Sequence, residues 1–235
     1  LVARRNEVQI CRANGVHLVA GWNGENTIQT ITSDVKKLVV GATFKIQTRE
    51  RGSGQCVLVK GGFIITAAHC VDWDCSGNMA MGEFYLSKIK TGSGDLTAST
   101  FAVEPISDIA VLGSPDNQTF CHESATFDEF CEGVAPVKLL RRIPKPFKPF
   151  PVWIRTHIKT WVDGTATYFG GCATFAYKTD CEIQCGTSGG PIVNHAGELV
   201  GVVSHATNTC FQGKYTAAAG LLSLALPAWI IARAI

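Results

Sequence analysis

The sequence predicts an all-β protein, a sandwich or barrels, and three observations carry that expectation. Short apolar and β-branched runs recur at residues 16–20, 27–32, 38–47, 55–59, 63–67, 84–89, 109–112, 152–158, 172–177, 192–193 and 199–204. Glycine or polar turns separate them, and little helical periodicity lies between, which argues against a parallel sheet with crossover helices. The chain has 235 residues, 46% of them apolar and 17% charged, so it has enough apolar surface to fold around a core rather than remain disordered.

Taken in order, Asn23-Gly24 sits between the first two runs and is a hairpin signal. Residues 141–151 carry Pro144, Pro146, Pro149 and Pro151, whose missing amide donors make the segment a stiff extended connector. Its cations Arg141, Arg142, Lys145 and Lys148 read as a solvated face. In the last fifteen residues Leu221, Leu222, Leu224, Leu226, Trp229, Ile230 and Ile231 surround Pro227, so a terminal helix starting near that proline is expected. The stretch 220–235 is shorter than the roughly 20 residues of a spanning helix and contains Arg233, so no membrane span is expected. The chain opens on Leu1 without a secretory leader and reads as a piece excised from something longer.

The net charge of +2 gives no reason to expect a nucleic-acid partner. Ten cysteines, at 11, 56, 70, 75, 121, 131, 172, 181, 185 and 210, include no Cys-x-x-Cys pair. Disulfides are the first expectation and buried free thiols the alternative. Asn117-Gln118-Thr119 would accept a glycan only in the oxidising case.

The chemistry lies in three motifs. A hydroxyl attacks a peptide carbonyl only with a base beside it, a carboxylate to orient the base, and donors for the oxyanion. Ser188 lies in Gly186-Thr187-Ser188-Gly189-Gly190-Pro191, whose glycines allow a tight loop with convergent amides. His69 lies in Thr66-Ala67-Ala68-His69-Cys70 after an apolar run, and Asp108 opens Asp108-Ile109-Ala110-Val111-Leu112 at the mouth of a buried strand.

With these motifs, in the order His, Asp, Ser and at intervals of 39 and 80 residues, the chain resembles the chymotrypsin/trypsin-like serine endopeptidases. The likeness runs over roughly residues 38–235 and is closer to the viral and bacterial branch than to secreted zymogens. It implies two packed antiparallel β-barrels with the active site between them and a short C-terminal helix. Residues 1–37 are then an unassigned extension, 38–140 the first barrel with His69 and Asp108, 141–151 the linker, 152–220 the second barrel with Ser188, and 221–235 the terminal helix.

The resemblance implies further roles. The amides of Gly186 and Ser188 would form the oxyanion hole. The strand 199–204, with Ser204, His205 and Ala206, would pair with substrate, and Gly213-Lys214-Tyr215-Thr216 would lie behind the specificity pocket. Glu182, six positions before Ser188, would sit at the base of that pocket and favour Lys or Arg; a solvated turn is its alternative, and a histidine-based preference for Gln or Glu ranks second. Cys56 with Cys70, and Cys185 with Cys210, match family disulfides. His17, His122, His157, His195 and His205 read as structural or surface residues, His205 with the added prospect of lining a subsite.

Two departures matter. Thr187 stands where secreted members usually carry an aspartate that pairs with a freed N-terminus, although Lys37-Leu38-Val39-Val40-Gly41 looks like an activation cleavage site. The oxyanion loop is therefore expected to form without proteolytic activation. The expected function is a serine endopeptidase processing a viral polyprotein, with a polypeptide substrate and no cofactor. The alternatives are a secreted trypsin-like enzyme, or a binding module on an inactive protease scaffold. A structural zinc site from Cys121, His122, Cys131 or His195 is a further alternative, without diagnostic spacing.

Overall fold

The computed structural model describes residues 12–13, 16–17, 30–47, 53–73, 86–169, 172–177, 183–206 and 215–235. Asn23-Gly24 therefore lies outside the described residues. A short antiparallel ribbon, β1 (Arg12–Ala13) with β2 (Val16–His17), precedes the body.

The first unit is a closed barrel of β3 (Thr43–Gln47), β4 (Ser53–Val59), β5 (Phe63–Ala67), β6 (Leu86–Thr91), β7 (Gly94–Glu104) and β8 (Ile109–Gly113), in the order β3-β4-β5-β8-β7-β6. Every residue of β5 and β8 is buried, as their continuous apolar runs require, whereas β6 alternates buried and exposed positions. Gly61 and Gly62, at φ +93° and +76°, make the tight β4–β5 turn that β-carbons would strain.

The second unit is a seven-stranded antiparallel sheet of β9 (Phe150–Arg155), β10 (Trp161–Phe169), β11 (Cys172–Tyr177), β12 (Pro191–Val193), β13 (Leu199–Val202), β14 (His205–Ala206) and β15 (Tyr215–Gly220). Among the described strands its order is β13-β12-β9-β10-β11-β15-β14, in the place where the resemblance implied the second barrel. Val152, Ile154, Val162, Ala166, Ile192, Val200 and Leu221 fill its core. The segment leaving the first unit stitches the two together: Val137 bridges Val59, and Leu139 bridges Leu199.

Helices occur where the strand pattern had not placed them. The expected strand 38–47 divides, its first part lying in α1 (Ser33–Gly41) and its second in β3. Thr32 caps α1, its hydroxyl accepting from the Val35 amide at 3.3 Å, Asp34 lies in the first turn, and Val39 is fully buried. The helix straddles the boundary expected at residue 37, and the Lys37–Gly41 motif is helical throughout. α2 (Cys121–Gly133) was not expected; Ser124, Phe127 and Phe130 bind it to the barrel at helical spacing, with the Phe130 ring edge-on to Phe44 at 5.0 Å. The C-terminal helix is present as α3 (Leu222–Ala225) and α4 (Ala228–Ala234), with Pro227 at the N-cap of α4. Among the described residues, no helix is long and apolar enough to cross a membrane.

Candidate active site

His69 lies in a single 3-10 turn, Ala68–Cys70, directly after β5. The fully buried strand anchors one side of the turn, and the Trp73 indole braces the other by donating to the Ala68 carbonyl at 3.0 Å. Asp108 precedes β8, which pairs with β5 from Ala67↔Ile109 onward, so sheet register alone brings the aspartate to the histidine. Its backbone is left-handed, at φ +54°, a conformation aspartate tolerates better than most residues. Glu104 fixes the preceding turn by accepting from the amides of Ile106 at 3.2 Å and Ser107 at 2.6 Å.

Asp108 and His69 then meet at three points. The Asp108 carbonyl accepts from the Ala68 amide at 3.0 Å, Oδ1 from the His69 amide at 2.9 Å, and Oδ2 lies 2.6 Å from His69 Nδ1. A carboxylate only accepts, so Nδ1 carries the proton and Nε2 is left as the basic ring atom. Ser204 donates its hydroxyl to the same Oδ2 at 2.6 Å. Burial works against ionising Asp108, but the hydrogen bonds from the His69 ring, Ser204 and the His69 amide outweigh it and hold the carboxyl below its usual range. The bond to Asp108, with the Cys70 thiol adding to it, raises the imidazole of His69 against the opposing effect of burial.

Ser188 occupies the loop between residue 183 and β12. Gly186 and Gly189 take φ values of +93° and +76°, and the loop is closed by Gly189 N–H to Val203 O at 2.7 Å and Gly190 N–H to Thr187 O at 2.8 Å. The Gln55 amide of β4 donates to the Ser188 carbonyl at 2.7 Å, tying the loop to the first barrel. A β-carbon at Gly54 would stand 2.5 Å from Cys70 Sγ and 2.8 Å from the Ser188 carbonyl, so the histidine turn and the serine loop pack against one glycine. Among the described residues no hydrogen bond joins Ser188 Oγ to His69, and the amides of Gly186 and Ser188 reach no acceptor. Long nucleophile–base separations are common before substrate binds, and free amides at a tight loop are what an arriving anion needs.

The remaining expectations divide. Ser204, assigned to substrate, has its hydroxyl engaged by Asp108. His205 is exposed on β14, which with Ala206 forms the outer strand of the sheet. Glu182, Cys210, Gly213 and Lys214 lie outside the described residues, while Tyr215 and Thr216 begin β15. The expected disulfides do not form: Cys56 and Cys70 are buried free thiols, and Cys185 is free and exposed. The first two pack as small apolar side chains, and burial, reinforced by Cys70, pushes the Cys56 thiol far up. Among the described residues no three metal-binding side chains cluster. Glu104, Gln55 and Arg155 brace the candidate site without having been singled out, since no local motif marks them, and His157, read as structural or surface, packs against the serine loop.

The fold is that of the chymotrypsin-like serine proteases. Residues 52–202, more than half the chain, match the family of the trypsin-like peptidase domain, and the chain belongs to that family. A comparison with curated proteins finds no match. Among solved structures, the Rv3671c protease from M. tuberculosis in its active form is similar with a TM-score of 0.56 and 14% identity, over 100% of this chain and 94% of that one. The serine endoprotease from Yersinia pestis gives 0.53 and 18%, over 83% of this chain and 64% of that one, and the HtrA-type protease AlgW 0.52 and 19%, over 85% and 63%. At these identities the structural likeness establishes the fold alone.

Proposed function

We propose that this serine protease is an endopeptidase in which Ser188, His69 and Asp108 form the catalytic triad. The observation that carries the reading is the 2.6 Å bond between Asp108 Oδ2 and His69 Nδ1, made beside a loop that presents Ser188 with two unengaged amides. Ser188 Oγ attacks the scissile carbonyl as His69 Nε2 takes its proton, and the amides of Gly186 and Ser188 receive the oxyanion. Collapse of the tetrahedral adduct expels the amine, protonated by His69, and leaves an acyl-enzyme that water hydrolyses by the same route. Asp108 keeps His69 in the tautomer this needs and stabilises the imidazolium. Nucleophile, base and donors all come from this chain.

The polypeptide would enter as an added strand along Ser204, His205 and Ala206, since β14 ends the sheet and pairs with β15 alone among the described strands. Glu182 is the residue we assign to the primary pocket, favouring Lys or Arg in the substrate. The finer role is processing of a polyprotein, and Thr187 supports it, because an enzyme without the acidic partner of a freed N-terminus has no need of a separate activating protease.

A fluorophosphonate probe tests the central reading. It should label Ser188 in the native chain, and Ser188→Ala should abolish labelling and lower peptide hydrolysis roughly 10⁶-fold. A folded native chain that neither labels nor hydrolyses peptides would instead fit an inactive binding scaffold. Cleavage of a peptide library then reads specificity: preference for Lys or Arg supports Glu182, and preference for Gln or Glu removes it from the pocket.

A further inference from the structure

Thr187 is fully buried beside the proposed nucleophile, and a buried hydroxyl needs partners. His157 supplies both. Its Nδ1 lies 2.9 Å from Thr187 Oγ1 and its backbone amide 3.4 Å from the same oxygen. Oγ1 accepts from the amide and shares a second hydrogen bond with Nδ1, in which either atom supplies the proton according to the tautomer of the ring.

The same ring covers Gly186: a β-carbon built there would stand 3.5 Å from His157 Cγ and Cδ2. The histidine is itself held in the turn between β9 and β10, where the Thr156 and Thr160 hydroxyls share a 2.6 Å bond and the Thr156 amide donates to the Thr160 carbonyl at 2.9 Å. A second, longer hold reaches Thr187 from the first barrel. Gln55 Nε2 donates to the Thr187 carbonyl at 3.4 Å, and the buried Arg155 donates to Gln55 Oε1 at 3.3 Å.

We propose that His157 is the positioning residue of the serine loop: by fixing the Thr187 hydroxyl and flanking Gly186, it holds the two oxyanion-binding amides in place. This rests on the endopeptidase reading above. The contact joins the residue between the two donors to a turn 30 residues earlier in the chain, so it sets loop shape without touching substrate. Loss of the imidazole should let the peptide between Gly186 and Thr187 rotate, which weakens transition-state binding and leaves ground-state binding nearly intact.

The test compares His157→Ala, His157→Asn, Thr187→Val and the double variant His157→Ala/Thr187→Val. His157→Ala should lower kcat about 10–100-fold, less than outright deletion of an oxyanion donor, with KM changed less than about threefold. A peptide boronate should bind more weakly by a similar factor. His157→Asn, whose amide can stand near the Nδ1 position, should recover most of the loss, and the double variant should be no slower than the worse single one. Native kcat in His157→Ala, or losses that multiply in the double variant, would overturn the proposal.

Failure of the enzyme reading looks different, since the native chain itself would then show no Ser188-dependent turnover. The contact can in that case be followed without catalysis by 15N NMR of labelled histidine. The His157 Nδ1 resonance should move in Thr187→Val; a resonance that stays in place refutes the clamp.

Discussion

Asp108 concentrates more of the proposed chemistry than any other residue described, because its carboxylate takes hydrogen bonds from the His69 ring, the His69 amide and Ser204 at once. The negative charge favours the imidazolium, so the pKa of His69 lies above the ordinary 6.5. The base works only when neutral, so kcat/KM should rise with pH through that raised pKa, and its acidic limb should lie above pH 6.5. Asp108→Asn removes the charge; the limb should move down in pH while the rate at neutral pH falls about 10⁴-fold, because the amide permits the wrong tautomer. A pH–rate profile of both proteins measures this, and a limb that stays or moves up in the variant counts against the assignment. The His69–Asp108 pair and the tight serine loop were legible in the sequence because each lies in a local motif that the proposed chemistry demands. Glu104, Gln55 and His157 were not, since they act through backbone or side-chain bonds whose partners only the folded chain reveals: Gln55 and Thr187 are 132 positions apart. The cysteines misled because the family resemblance implied pairings, whereas Cys56, Cys70 and Cys185 are free thiols.

Strands announced themselves through runs that end up buried on both faces, as in β5 and β8, and the C-terminal helix through Pro227. α1 and α2 did not. Leu38-Val39-Val40 has the composition of a strand, and only the Thr32 cap and the burial of Val39 alone on that face make it helical. In α2 the apolar face is narrow, Phe127 being its sole large, fully buried side chain. α4 follows the second sheet in sequence yet packs on the first barrel: Ile230 and Ala234 are fully buried there, and the Trp229 ring stands edge-on to Phe63 at 5.6 Å. The Leu139 amide donates to the Ala234 carbonyl at 2.9 Å, so the helix also secures the segment between the units. Ile230→Ala should therefore destabilise the protein by about 2–5 kcal/mol in urea unfolding, the usual range for truncating a buried isoleucine. Leu224→Ala, at a position 40% exposed, should cost less than about 1.5 kcal/mol. Equal losses in the two variants would mean that α4 is not a structural element of the barrel.

Across the molecule, the serine loop is shaped by contacts from both units. Gln55 of the first barrel holds the Ser188 carbonyl, His157 of the second holds the Thr187 hydroxyl, and among the described residues no ammonium–carboxylate pair enters the arrangement. The motif that resembles an activation site is folded away in α1, where Val39 is fully buried and Val35 packs against Gly197 of the second unit. Proteases bind their substrates as extended strands, so cutting between Lys37 and Leu38 would first require unwinding this helix and exposing Val39. Activity should then be independent of that cleavage. The chain with residues 1–37 attached should label with a fluorophosphonate at the same rate as a chain cut after Lys37, and Lys37→Gln should leave both labelling and peptide turnover within about twofold of native. Limited digestion with trypsin under native conditions should spare the Lys37–Leu38 bond while cutting it readily in urea. Labelling that appears only after the bond is cut would show that the serine loop depends on a new N-terminus after all, and that the contacts made by Gln55 and His157 are insufficient to form it.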